Sequence, residues 1–226
     1  MKDSPHYHGH RGRLRQRFLD SRGEALQGYE LLEMLLFYSI PRKDTKPLAK
    51  ALLKRFGSVA GVLDATYEEL CQVDGIGPAT AVHIKLIKRL IEEYKRSSIQ
   101  SGHRLSSPEA VIEYLKVKMA GLKDEQFRVL YLDNQNRLIK ESIIQEGTPT
   151  EAVVYPRRVI EEALRVKATG MILVHNHPSG SLEPSQSDRL LTEKLKLLAE
   201  ALGLRLVDHF IVTPQGYTSF HHKGLL

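Results

Sequence analysis

Cysteine is almost absent from the sequence, and so are long apolar runs. The one cysteine, Cys71, rules out an internal disulfide and fits a reducing compartment, with the cytoplasm as the expected location. It also rules out any zinc site built from several thiolates, including the Pro-Cys-x-x-Cys half of a nucleobase deaminase centre. The longest apolar stretches, such as Leu31 to Tyr38 interrupted by Glu33, fall far short of the roughly 20 residues that span a bilayer. No apolar segment follows the polar start Met1-Lys2-Asp3-Ser4-Pro5-His6, so a soluble, unexported chain with no membrane partner is expected. Internal repeats and low-complexity segments are missing too.

What is present is enough for two modest cores: 226 residues, 42% hydrophobic and 27% charged. The net charge of +6 is unevenly spread, with 17 Lys and Arg against 12 Asp and Glu in residues 1–100. Arg11, Arg13, Arg15, Arg17 and Arg22 crowd the start among His6, His8 and His10, and read as a basic N-terminal tail able to neutralise phosphates or simply to remain solvated.

Periodicity divides the chain. From Glu24 to Lys95 apolar residues recur at helical spacing, as in Leu31, Leu32, Leu35 and Leu36, and a helix entered at Pro47 stops at Gly57. The serine-rich stretch from Tyr94 to Ser107 has no apolar period, which puts the domain boundary there, with an all-α domain over 1–100 and a second domain over 101–226. The second domain alternates helix and strand. Strands are expected over Phe127–Leu132, Arg137–Ile144, Met171–Val174, Leu204–Val212 and Tyr217–Phe220, with helices over Pro108–Met119, from Pro156 towards Gly170, and over Ser185–Leu202. The expected fold class is therefore α/β, a mixed sheet with flanking helices, preceded by a small all-α domain.

The chemistry concentrates behind the strand ending at Val174. His175 and His177 stand two apart in extended chain, so both imidazoles point to one side. Asp188, eleven residues beyond His177, lies on the first turn of the next helix, across a loop holding Pro178, Gly180 and Pro184. Two imidazoles and a carboxylate suit Zn²⁺, one per chain, with the fourth position open as in catalytic sites. Ser185-x-x-Asp188 also has the pattern of a helix capping box. Asp208 and His209 sit side by side on a strand, so only one of them can approach the site, as a partner that orients a ligand.

His175-Asn176-His177-Pro178-Ser179-Gly180, ten residues between His177 and Asp188, and Ser185 three before Asp188 together resemble the JAMM motif of MPN-type metallopeptidases, and the wording of the first six resembles the RadC branch. Val207 to Val212 is similar to a segment of the same family. The resemblance implies a cytidine-deaminase-like α/β fold and a zinc-dependent hydrolase of peptide or isopeptide bonds. It implies that the ion held by His175, His177 and Asp188 activates a water, that Ser185 donates to the oxyanion, and that a glutamate on an early strand acts as general acid and base. That glutamate falls on Glu125, with Glu141 as the alternative.

In the front half, Val73-Asp74-Gly75-Ile76-Gly77-Pro78 between two helices resembles a helix-hairpin-helix signature. The glycines permit a tight turn at a helix N-terminus, and Lys85 and Lys88 follow on that helix, so Gly75, Gly77, Lys85 and Lys88 are expected contacts to a DNA backbone. Two other function classes stay open on these residues: a DNA phosphodiesterase using the same metal, and a non-catalytic DNA-binding accessory protein of repair or recombination. The substrate, a peptide or protein, is not named by any motif.

Overall fold

The structure, a computed structural model, describes residues 9–100, 108–147 and 154–226, and divides into compact units of Met1–Leu90 and Ile91–Leu226.

The first unit is all helix: α1 His10–Ser21, α2 Gly28–Leu36, α3 Lys46–Phe56, α4 Val59–Asp64, α5 Tyr67–Cys71, and α6 Pro78–Gln100, which runs across the division. Leu32, Leu36, Leu52, Val62, Leu70 and Ile84 form its core, each at most 1% exposed. Local signals set the ends. Gly57 caps α3 at φ 78°, and Thr66 with Glu69 makes a reciprocal capping box on α5.

Two expectations for this unit are corrected. The arginine-rich start is not a tail from residue 10 onward: it is α1, anchored by Leu14, which is 1% exposed. Arg11 donates to the carbonyls of Phe37, the C-cap of α2, and of Ile40 and Lys43 in the turn that follows, and Arg17 pairs with Glu30 in the first turn of α2 at 2.9 Å. An arginine beyond a helix C-terminus satisfies orphan carbonyls and the negative end of the dipole, as Arg11 does, while Arg17 neutralises the capping-box carboxylate of Glu30, so both cations have partners within their own unit. His6 and His8 lie outside the described residues. Second, α6 continues to Gln100, so the first part of the expected linker is helical, with Arg96 reaching Glu93 one turn back at 3.5 Å. The rest of that stretch, 101–107, lies outside the described residues.

The second unit contains α7 Pro108–Met119, β1 Glu125–Leu132, β2 Leu138–Gly147, α8 Pro156–Arg165, β3 Gly170–Asn176, α9 Gln186–Ala201, β4 Arg205–Thr213 and β5 Gly216–Ser219. The sheet order is β2-β1-β3-β4-β5, antiparallel except for the β3/β4 pair, which α9 connects as a crossover. Central β3 is buried along its whole length, as its unbroken apolar run requires. Alternation then sorts the faces. Phe127, Val129, Tyr131, Met171 and Leu173 pack with Val159, Ala163, Leu195 and Ala199 of α8 and α9. Leu130, Leu132, Ile172 and Val174 pack with Val111, Leu115 and Met119 of α7. By the same parity Glu125 and His175 belong to the α8/α9 face, at the end of the sheet where β1 starts and β3 finishes.

Candidate metal centre

Strand pairing brings the site together. Phe127 lies opposite His175 in the β1/β3 register, so Glu125 at the start of β1 reaches the level of His177 just beyond β3. Asn176, 1% exposed, points away from the two histidines and locks this alignment: its Oδ1 accepts from Gln126 N at 2.8 Å, and its Nδ2 donates to the carbonyl of Asp124 at 3.0 Å. Both backbone neighbours of Glu125 are thus held by one side chain.

The loop after β3 is equally determined. His177 N donates to Val212 O, and Gly180 N returns to His177 O. Gly180 sits at φ 83°, a backbone conformation that strains other residues, so the turn favours glycine. The turn presents Ser181 O to His177 Nδ1 at 2.9 Å, while Thr218 Oγ1 donates to Leu182 O at 2.5 Å and ties the loop to β5.

Helix α9 supplies the carboxylate. Ser185 is its N-cap, Oγ accepting from Asp188 N at 3.2 Å, and the Asp188 carboxylate accepts from Ser185 N at 2.7 Å. The capping box and the approach to the histidines coexist because they use different lone pairs. Asp188 Oδ1 lies 3.4 Å from His175 Nε2, and Oδ2 lies 3.6 Å from His177 Nε2. Glu125 Oε1 stands 3.9 Å from His177 Nε2, and Glu125, His175 and His177 offer ligand atoms all within 4.8 Å of one another. Capping by Ser185 does not preclude donation: the cap uses an oxygen lone pair and leaves the hydroxyl proton available, with Ser187 Oγ at 2.8 Å.

The donor set fits a cation. A carbonyl only accepts, so His177 Nδ1 carries the proton in its bond to Ser181 O, and neutral His177 presents its Nε2 lone pair to His175 Nε2 at 2.8 Å. Nitrogens this close, flanked by two carboxylates, need a proton or a metal ion between them. The electrostatics agree. The hydrogen bond to Asp188, opposed by burial, raises His177 above the usual histidine value. Burial alone would raise Asp188, but its contacts with His175 and His177 and the Ser185 N–H hold it far below the ordinary carboxylate range. These groups open on a cleft of about 510 Å³, walled by Phe127, Val154 and Leu191.

Glu141 is elsewhere. It pairs across from Leu130, is held by Arg128, Lys118 and Tyr114 at 2.7, 2.7 and 2.5 Å, and belongs to the α7 face. Of the adjacent pair on β4, His209 is the one that approaches, with Nε2 2.9 Å from His175 Nδ1. Asp208 accepts instead from Ser219 Oγ and the backbone of His221. Burial, reinforced by the charge of His175, keeps fully enclosed His209 well below the ordinary histidine range. Thr192, bonded to His209 Nδ1 at 2.7 Å, and Asn176 were not anticipated from sequence. Thr192 was legible in principle, since it stands one turn after Asp188 on the same face of α9.

Residues 105–225 match the RadC-like JAB domain. The chain belongs to the RadC-like family. Residues 8–82 match a second family, the UPF0758 N-terminal domain, so the helical unit is a separate recognised region of such proteins. In this RadC-like chain the hairpin between α5 and α6 turns at Gly75, whose φ of 88° admits glycine readily, and Ile76 inserts into the core at 5% exposure. Lys85 donates to the carbonyls of Leu63 and Ala65, at the end of α4, and Lys88 pairs with Asp64 at 2.5 Å. Both lysines expected to meet DNA are therefore engaged within their own unit. Among the described residues no helix is long and apolar enough to cross a membrane.

Proposed function

We propose that this RadC-like JAB domain is a zinc-dependent hydrolase of peptide or isopeptide bonds, its ion held by His175, His177 and Asp188. The observation that carries the reading is the convergence of the two Nε2 atoms at 2.8 Å with Asp188 against both and Glu125 at the rim of an open cleft. Among the two carboxylates, Asp188 is nearer to both histidines and fits the ligand, while Glu125 is set back and fits a base. When bound, zinc polarises the scissile carbonyl and lowers the pKa of a water towards about 7. Glu125 Oε1 takes the proton of the attacking water and delivers it to the leaving amine. The Ser185 hydroxyl donates to the oxygen on which charge develops. Phe127, Val154 and Leu191 exclude solvent from one wall of the cleft, which strengthens each of these contacts.

The test pairs elemental analysis of tag-free protein with turnover of peptide, isopeptide and labelled DNA libraries, for the parent and His175→Ala/His177→Ala. Zinc near one per chain, lost in the double variant together with peptide or isopeptide cleavage, supports the proposal. Zinc-dependent DNA cleavage would replace it with a phosphodiesterase, and no uptake of zinc would overturn it.

A second proposal concerns the helical unit: the Gly75–Gly77 turn docks a nucleic-acid backbone at the start of α6. It is favoured by the open space around Gly77, where an added Cβ meets nothing within 4 Å. Duplex binding that weakens steeply with salt and is lost in Gly77→Asp supports it; absence of duplex binding by the parent at low salt sinks it.

A further inference from the structure

Three acidic side chains are buried among the described residues, and two of them have a basic partner: Glu30 pairs with Arg17, and Glu33 with His10. Asp208, 9% exposed, has none. Its Oδ1 accepts from His209 N at 2.7 Å and His221 N at 3.0 Å, and its Oδ2 accepts from Ser219 Oγ at 2.6 Å. A carboxylate has about four lone-pair sites, so one on Oδ2 has no donor among the described residues, and uncharged groups alone meet this acid.

Strand geometry turns this carboxylate into a pocket. Met171 pairs with Leu206 but Ile172 pairs with Asp208, so Val207 is an extra residue in β4. Such a bulge re-aims the side chains beside it. Val207 and Asp208 both join Ile172 and Phe210 on the α7 face, the opposite side of the sheet from the metal centre. There Ile112 of α7, Ile172, Val207, Phe210 and Tyr217 of β5 wall a pocket of about 280 Å³, and Asp208 is the one acid among its lining residues. His221 and His222 line it too, and neither imidazole is in ion contact with the carboxylate. Two cations at its edge are engaged elsewhere: Lys116 Nζ lies 5.1 Å from the centroid of the Tyr217 ring, and Arg205 donates to Asn136 Oδ1 at 2.8 Å.

We propose that this pocket binds one lysine or arginine side chain of a polypeptide partner, its aliphatic stem against Ile112, Ile172 and Val207 and its charged end on the open site of Asp208 Oδ2. A carboxylate in apolar surroundings without a counter-ion is the costly state, so an entering cation is favoured over a neutral side chain of the same shape. The volume lies below the roughly 300 Å³ at which sites for drug-sized molecules begin, and one carboxylate matches one positive charge. The position points to a polypeptide. Strand β5 is the outer strand of the sheet, so an extended segment can run beside Tyr217 and lower a single side chain into the pocket. The inference does not rest on the zinc reading, because the pocket and the metal centre share no lining residue.

The experiment titrates full-length protein, carrying ¹³C-labelled isoleucine and valine methyl groups, with blocked peptides that hold lysine, arginine or norleucine between flanking alanines, and with n-butylammonium as the free amine. The lysine and arginine peptides are expected to shift the methyl signals of Ile112, Ile172 and Val207 but not that of Val154 in the metal cleft, with a Kd of order 1 mM, the range open to a ligand that buries a handful of heavy atoms. Norleucine, the neutral isostere, is expected to bind about 10-fold more weakly. Asp208→Asn keeps the shape and can still accept from both backbone N–H groups, and is expected to erase the preference for lysine over norleucine. Val207→Phe fills the pocket while leaving the carboxylate in place, and is expected to abolish binding of all three peptides. Methyl signals that do not move with the basic peptides overturn the proposal, as does a norleucine peptide that binds as tightly as lysine. If n-butylammonium binds as tightly as the lysine peptide, a free amine replaces the polypeptide partner. Should Asp208→Asn fail to fold, Val207→Phe decides: undiminished binding there overturns the site.

Discussion

The two faces of the sheet each carry a glutamate from the β1/β2 hairpin, and they treat it in opposite ways. On the α7 face Glu141 accepts from Arg128, Lys118 and Tyr114, all within 2.7 Å. Burial would push its carboxyl up, but these donors override that and hold it below the ordinary value. On the α8/α9 face, among the described residues, Glu125 has only a loose ion contact, 3.9 Å from His177, beside an open cleft. A carboxylate whose lone pairs are filled by fixed donors is part of the scaffold. One whose lone pairs face a cavity is free to accept a proton there.

The sharpest way to break this comparison is to replace each glutamate by glutamine. Glu125→Gln is expected to lower turnover of whichever substrate the library identifies by about 10²- to 10⁴-fold while zinc content stays at the parent level. Glu141→Gln is expected to leave turnover per folded molecule and zinc content unchanged. Equal losses in both variants would erase the distinction between the faces. Stability should respond in reverse. Glu141→Ala leaves Arg128 and Lys118 buried without their shared anion and is expected to cost about 3–5 kcal/mol in denaturant unfolding, whereas Glu125→Ala costs less than about 1 kcal/mol.

Much of the candidate site was readable in the sequence, but the contrast between its two glutamates was not, and that has a physical cause. The histidine pair, the returning Asp188 and its capping serine follow from spacing within one strand, loop and helix, all local quantities. The mixed sheet follows from alternating patterns and from the uninterrupted apolar run of β3, whereas the strand order comes from the structure alone. The choice between Glu125 and Glu141 is not local, because it depends on which face each residue takes after pairing, and irregularities in the β1/β2 register shift that parity. The carbonyl partners of Arg11 and Lys85 were hidden for a related reason. Composition shows a positive charge but not the carbonyl groups that folding places beside it.

Acid sharpens the comparison by a smaller amount. Because Glu141 has a depressed pKa in the folded protein, the unfolded chain binds more protons between that value and the unfolded value near 4.3. Its stabilising contribution is therefore complete above the unfolded pKa and is lost as pH falls through the folded one. Urea midpoints measured from pH 6 down to pH 3 should fall more steeply for the parent than for Glu141→Gln, with the two curves converging in acid. A constant offset between them would show that the three donors do not act on the ionised form.

The smallest expected effect carries the same distinction into the helical unit. Lys85 is an engaged cation, donating to Leu63 O at 3.1 Å and Ala65 O at 2.8 Å where α4 ends. Lys85→Met keeps the aliphatic stem and removes the charge, and is expected to cost about 0.3–1 kcal/mol by exposing the end of α4. Thermal unfolding checks the cost, and duplex titration at fixed salt checks the function. If the lysine serves α4 alone, the melting temperature falls while any duplex affinity and its salt slope stay as in the parent. A salt slope reduced by about one charge, with stability unchanged, would place Lys85 on a phosphate and return it to the open class that Glu125 represents.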